Sequence, residues 1–121
     1  MPPARRPMTE RLRITETELD SHVTVVTVSG ELDMDTCPLL QSALARALPR
    51  VAIDLGALTS ADSYGLTVLL ATHRHALELG GLALVCATGD LMRAVFRQRG
   101  LDRVLELRPT LEEAVAELRA L

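Results

Sequence analysis

The residues best equipped for chemistry stand together in "ADSYGL", Ala61 to Leu66: an acid, a hydroxyl, a phenol and a glycine in succession. The short apolar run "RVAIDLG" precedes them, and a helical period begins at about Leu66. A hydroxyl at such a junction has two uses. Ser63 or Asp62 can N-cap the helix, since both residue types lead the N-cap ranking, and about 1 kcal/mol rests on such a cap. Ser63 can also accept a phosphoryl group, because the unpaired N–H groups and partial positive charge of a helix start stabilise added phosphate. On that reading Asp62 orients the hydroxyl or takes its proton. Gly65 keeps the first turn free of a side chain, so that another protein can approach.

The remaining candidates offer less. His22 falls in a strand region, His73 on the inward face of the helix, and His75, two residues on, points elsewhere. Nothing therefore pairs with Ser63 as a base, and transfer to it needs a separate enzyme; no catalytic residue is expected in this chain. Asp33, Asp35 and Asp62 could gather as an acidic cluster, but carboxylates from separate loops more often cap and solvate, so no metal and no cofactor are expected. No glycine-rich loop with Lys and no G-x-G-x-x-G follows a strand. Cys37 lies near a helix start, where a thiolate is favoured, yet it has no partner and reads as a packing residue. Arg93 and Arg97 are i,i+4 neighbours on a solvated helix face, while Arg99 and Arg103 flank that helix's end and suit its dipole.

The elements that must position these residues follow from periodicity. "RLRITETE" alternates like a strand with one wet face, and "VTVVTVSG" (Val23 to Gly30) is β-branched on both faces, so the two form a hairpin with the second more central. A helix follows from Pro38 to about Leu48, capped by Asp35 or Thr36, with Leu40, Leu44 and Leu48 on one stripe. "RVAIDLG" reads as a buried strand. The helix from about Leu66 to Leu79 carries Leu66, Leu69, Leu70, His73 and Leu77 on one face and stops at Gly80 and Gly81. "LALVCA" is another buried strand, and "DLMRAVFRQRG" a helix with Gly100 just past its end. "RVLEL" is a last strand, and "PTLEEAVAELRAL" a last helix with Thr110 and Glu113 at capping-box spacing. The order ββαβαβαβα predicts a single α/β domain with a mainly parallel sheet, an antiparallel first strand and helices packed against it. Sites in such sheets form beyond the carboxyl ends of the strands, where "SGELDMD", "TSADSYG" and "ATGD" should meet.

The bulk numbers narrow the function. The chain has 121 residues, a net charge of −3, two cysteines and 2% aromatic residues. One domain is expected over residues 10–121, after a loose Pro- and Arg-rich tail over residues 1–9. The charge and the missing aromatic platforms disfavour direct nucleic-acid binding and a membrane surface. Two distant cysteines and no apolar leader or span point to a cytoplasmic protein.

"GELD" (Gly30 to Asp33), "DSYGL" (Asp62 to Leu66) and "LMRAVFRQRGL" stand in this order across residues 10 to 120. In these motifs the chain resembles the STAS domain family, and among its members the bacterial anti-sigma factor antagonists. The resemblance implies phosphorylation at Ser63 by a serine kinase that is also the anti-sigma factor, with Asp62 as the supporting carboxylate. Unmodified antagonist would bind that partner and release the sigma factor, and a PP2C-type phosphatase would reverse the modification. Gly30, Glu31 and Asp33 would shape the neighbouring partner-binding loop, with Tyr64 and Leu66 beside it. Tyr64 stands where the family usually has Ser or Thr; it points outward to a partner, covers Ser63, or is a neutral substitution at an exposed first turn. The other reading is a non-phosphorylated STAS scaffold, or a subunit of a signalling or lipid-transport ABC complex.

Overall fold

The computed structural model describes residues 7–121, so the expectation of a tail lies, for residues 1–6, outside the described residues. The chain enters as a short helix, α1 (Met8–Arg11), and continues through β1 (Leu12–Glu18), β2 (Thr24–Leu32), α2 (Cys37–Ala47), β3 (Arg50–Ala61), α3 (Ser63–Glu78), β4 (Leu82–Cys86), α4 (Asp90–Gln98), β5 (Glu106–Arg108) and α5 (Leu111–Arg119). The five strands lie side by side in the order β1-β2-β3-β4-β5. β1 is antiparallel to β2, and every later pair is parallel. The ββαβαβαβα order expected from periodicity is therefore the observed one, with α1 added in front.

β-branched residues on both faces of β2 make this sheet a divider between two cores. Val26, Val28, Val51, Ile53 and Leu55 point to one side, where Leu40 and Leu44 of α2, Leu66 and Leu69 of α3, and Met92 and Phe96 of α4 cover them. Val23, Val25, Ala52, Leu84 and Cys86 point to the other, under Ala114 and Leu118 of α5 alone. Residues alternate in side along each strand, so neighbours such as Val25 and Val26 serve opposite cores. The capping box at Thr110 is present: its hydroxyl accepts from Glu113 N at 3.1 Å. Gly100 takes the left-handed conformation just past α4, with φ 71°.

Three local expectations fail. β3 does not stop after "RVAIDLG" but runs on to Ala61, because its end pairs with an equally extended β2. α3 starts at Ser63, so its inward face is Gly65, Leu66, Leu69, Thr72 and Ala76, and Leu77 is 52% exposed instead of inward. Of "RVLEL" only Glu106 and Leu107 enter the three-residue strand β5, since Leu101–Arg103 form a 3-10 turn. No helix among the described residues is long and apolar enough to cross a membrane.

Candidate functional site

The extension of β2 and β3 carries both sequence motifs into one parallel ladder, with Glu31 opposite Ser60 and Leu32 opposite Ala61. Register shifts at Thr27/Ser29 and Gly30/Glu31 let β3 hold extra residues against β2, as bulges do where a strand must re-aim its end. The ladder closes with Asp62 N donating to Leu32 O at 3.0 Å.

Asp62 then settles the question of the cap. Its backbone is extended, and its Oδ1 accepts from Gly65 N at 3.1 Å. Its Oδ2 accepts from Met34 N, in the loop after "GELD", at 3.0 Å. One carboxylate thus caps α3 and ties down the neighbouring crossover, satisfying two otherwise orphaned amides. Ser63 is the first residue of the helix, exposed, and its hydroxyl takes no hydrogen bond among the described residues. Each Asp62 oxygen accepts from a backbone N–H, and no hydrogen bond joins Asp62 to the Ser63 hydroxyl among the described residues. Ser63 contributes its carbonyl, which accepts from Thr67 Oγ1 at 2.7 Å.

Gly65, expected to keep the first turn open, and Leu66, expected beside the partner-binding loop, are both buried. A Cβ on Gly65 would run into the side chain of Leu32, so the glycine is there to let α3 lie on the β2 end. Leu66 is 4% exposed and belongs to the core. Tyr64 takes the outward alternative at 55% exposure, and Met34, which the sequence did not single out, stands out equally at 56%.

The "GELDMD" loop is organised by a residue that sequence reasoning passed over. Arg11, only 8% exposed, ion-pairs with Glu31 at 3.2 Å, with Asp33, and with Asp35 at 3.6 Å. Gly30, at φ 101°, brings β2 so close to Arg11 that a Cβ would meet its carbonyl. Asp33 Oδ1 accepts from Asp35 N at 2.9 Å and Thr36 N at 3.0 Å. Thr36 is the residue before α2, but its side chain makes no cap bond there; its hydroxyl instead accepts from Asp33 N at 2.9 Å. Of the three carboxylates considered for a cation, Asp33 and Asp35 pair with the Arg11 guanidinium and Asp62 accepts from backbone N–H groups, and among the described residues no group able to hold a metal occurs. Cys37 does not become a favoured thiolate either. Desolvation first, then the nearby Asp62 and Asp35 carboxylates, push its thiol above the ordinary value.

"ATGD" stays apart. It turns through Ala87 at φ 57°, and its own cavity is lined by Thr88, Arg93, Leu107, Arg108 and Pro109. Beside Ser63 lies a different cavity of about 200 Å³, lined by Ser63, Leu66, Thr67, Leu70, Arg99 and Leu101.

The family profile described as "Mlab, STAS domain" matches residues 15–109. The chain belongs to the STAS domain family. It is 31% identical over 114 residues to the anti-sigma-F factor antagonist RsfB of Mycobacterium tuberculosis, covering 88% of this chain and 90% of that one. Among solved structures it is similar to an anti-sigma factor antagonist from Mycobacterium paratuberculosis, with 35% identity, TM-score 0.78, and coverage of 89% of this chain and 94% of the other. The fold also matches SpoIIAA in its unphosphorylated form, with TM-score 0.69 at 19% identity over 89% of this chain and 99% of that one. In this STAS domain, the two family motifs are the two ends joined by Asp62.

Proposed function

We propose that this STAS domain is an anti-sigma factor antagonist, a regulatory binding protein and not an enzyme, acting in the cytoplasm and switched by phosphorylation of Ser63. The observation that carries the reading is the division of labour at the α3 start. Asp62 secures the helix and the "GELD" loop, while Ser63 is exposed with no hydrogen bond to its hydroxyl among the described residues, and Tyr64 and Met34 are exposed as well. Sequence likeness to antagonists of about this length supports the same reading.

The chain offers Ser63 no base, so the partner, a serine kinase that is also the anti-sigma factor, supplies it. Ser63 Oγ attacks the γ-phosphorus of ATP, the bond to the ADP oxygen breaks, and the hydroxyl proton passes to the kinase's base. The product carries nearly two negative charges on a surface that the unmodified chain uses for docking. A PP2C-type phosphatase returns the hydroxyl by hydrolysis. Incubation with the cognate kinase and ATP should add one phosphoryl group to the intact mass, mapped by peptide analysis to Ser63 and lost in Ser63→Ala. Modification that persists in Ser63→Ala would overturn the assignment. Stable co-purification with an ATPase subunit, with Ser63 never modified, would favour the scaffold reading instead.

A further inference from the structure

The cavity beside Ser63 has one cation in its lining and no carboxylate: Arg99, with Thr67 and Ser63, above apolar Leu66, Leu70 and Leu101. Arg99 caps the C-terminal end of α4 and is exposed. Arg11, Arg46, Arg93, Arg108 and Arg119 each pair with a carboxylate. Arg99 makes no ion pair or side-chain hydrogen bond among the described residues. The Thr67 hydroxyl is already taken by the Ser63 carbonyl at 2.7 Å. Arg99 is the one cationic donor in this lining, and the planar fork of a guanidinium matches a phosphate in two hydrogen bonds.

We infer that Arg99 is the reader of the modified site: it binds the phosphoryl group carried by Ser63 and holds it in the α3–α4 cavity. The inference rests on Ser63 as the acceptor. It adds that the modified form loses a free surface cation as well as gaining an anion, so both changes fall on the same face.

Phosphoserine installed at position 63 during translation makes the test independent of any kinase. The second ionisation of the phosphate, ordinarily near pH 6, is followed by phosphorus NMR across a pH titration. A nearby cation favours the dianion, so this pKa should lie about 0.3 to 1 unit lower in the otherwise unaltered chain than in Arg99→Gln, the exposure of the site limiting the shift. Arg99→Lys should restore part of the difference. Arg93→Gln, outside this cavity and paired with Asp90, should match the unaltered chain. Equal pKa values with and without Arg99 would overturn the inference and leave the phosphate to the helix start alone. Failure to find Ser63 modified in cells would instead strike the switch reading and leave this titration as it is.

Discussion

The β3–α3 turn and the β4–α4 turn occupy equivalent places at one edge of the sheet, yet they are built differently. At the first, a carboxylate caps the helix, reaches across to Met34 N, and a buried glycine lets the helix lie on Leu32. At the second, Gly89 starts α4 with no side-chain cap, and a Cβ there would meet nothing within 4 Å. A helix start alone asks for very little. The extra bonding at Asp62 couples two crossovers into one surface and fixes what faces outward from it: Ser63, Tyr64 and Met34.

The contrast is broken or sharpened most strongly at the two glycines. Gly65→Val should cost about 3 kcal/mol, since overpacking against Leu32 has no soft direction to relax, whereas Gly89→Ala should stay within about 0.5 kcal/mol. Denaturant midpoints of the two variants check this, and similar losses would remove the distinction. Asp62→Ala should cost about 2 kcal/mol, because two backbone amides lose their acceptor, against about 1 kcal/mol for Thr110→Ala, which caps one. Amide exchange at Met34 should quicken in the Asp62 variant only. Arg11→Gln should cost about 1 kcal/mol, tempered by the partial exposure of its carboxylates, and should lower partner affinity by loosening the "GELDMD" loop. Fluorescence melting and a binding titration separate the two effects.

The smallest effect belongs to the far face of the sheet, at β5 and α5. There Arg108 hydrogen-bonds Glu117 at 2.5 and 2.8 Å and holds its carboxyl below the ordinary value of 4.5. A depressed folded-state pKa stabilises above the unfolded value and is lost as pH falls through the folded one. Glu117→Gln should therefore lower stability slightly at neutral pH and leave it unchanged at the acid end, which flattens the acid limb below about pH 4.5, with partner binding unchanged.

Much of this was legible in the sequence because the deciding forces were local. Hydrophobic period placed β1, β2, β4 and α5, and Thr110, Gly100 and Gly80 marked helix ends by their own chemistry. What escaped was set at a distance. The last residues of β3, "LTSA", have weak strand preference and become strand only by pairing with "GEL". That pairing fixes the α3 start at Ser63, which rotates the helix enough to turn Leu77 outward and Gly65 inward. Arg11 opens "RLRITETE", which reads as a strand with one wet face, and its role depends on three carboxylates some twenty residues away. The two candidates for the cap, Asp62 and Ser63, are equal by propensity, and the strand pairing that keeps Asp62 extended and starts α3 at Ser63 decides between them.

The most direct test of the account is the affinity of the anti-sigma factor for three forms of this chain, unaltered, Ser63→Ala and Ser63→Asp, measured in one titration series. Binding at least about tenfold weaker for Ser63→Asp, about 1.4 kcal/mol, with Ser63→Ala equal to the unaltered chain, is the predicted result. Equal affinity for all three would contradict it.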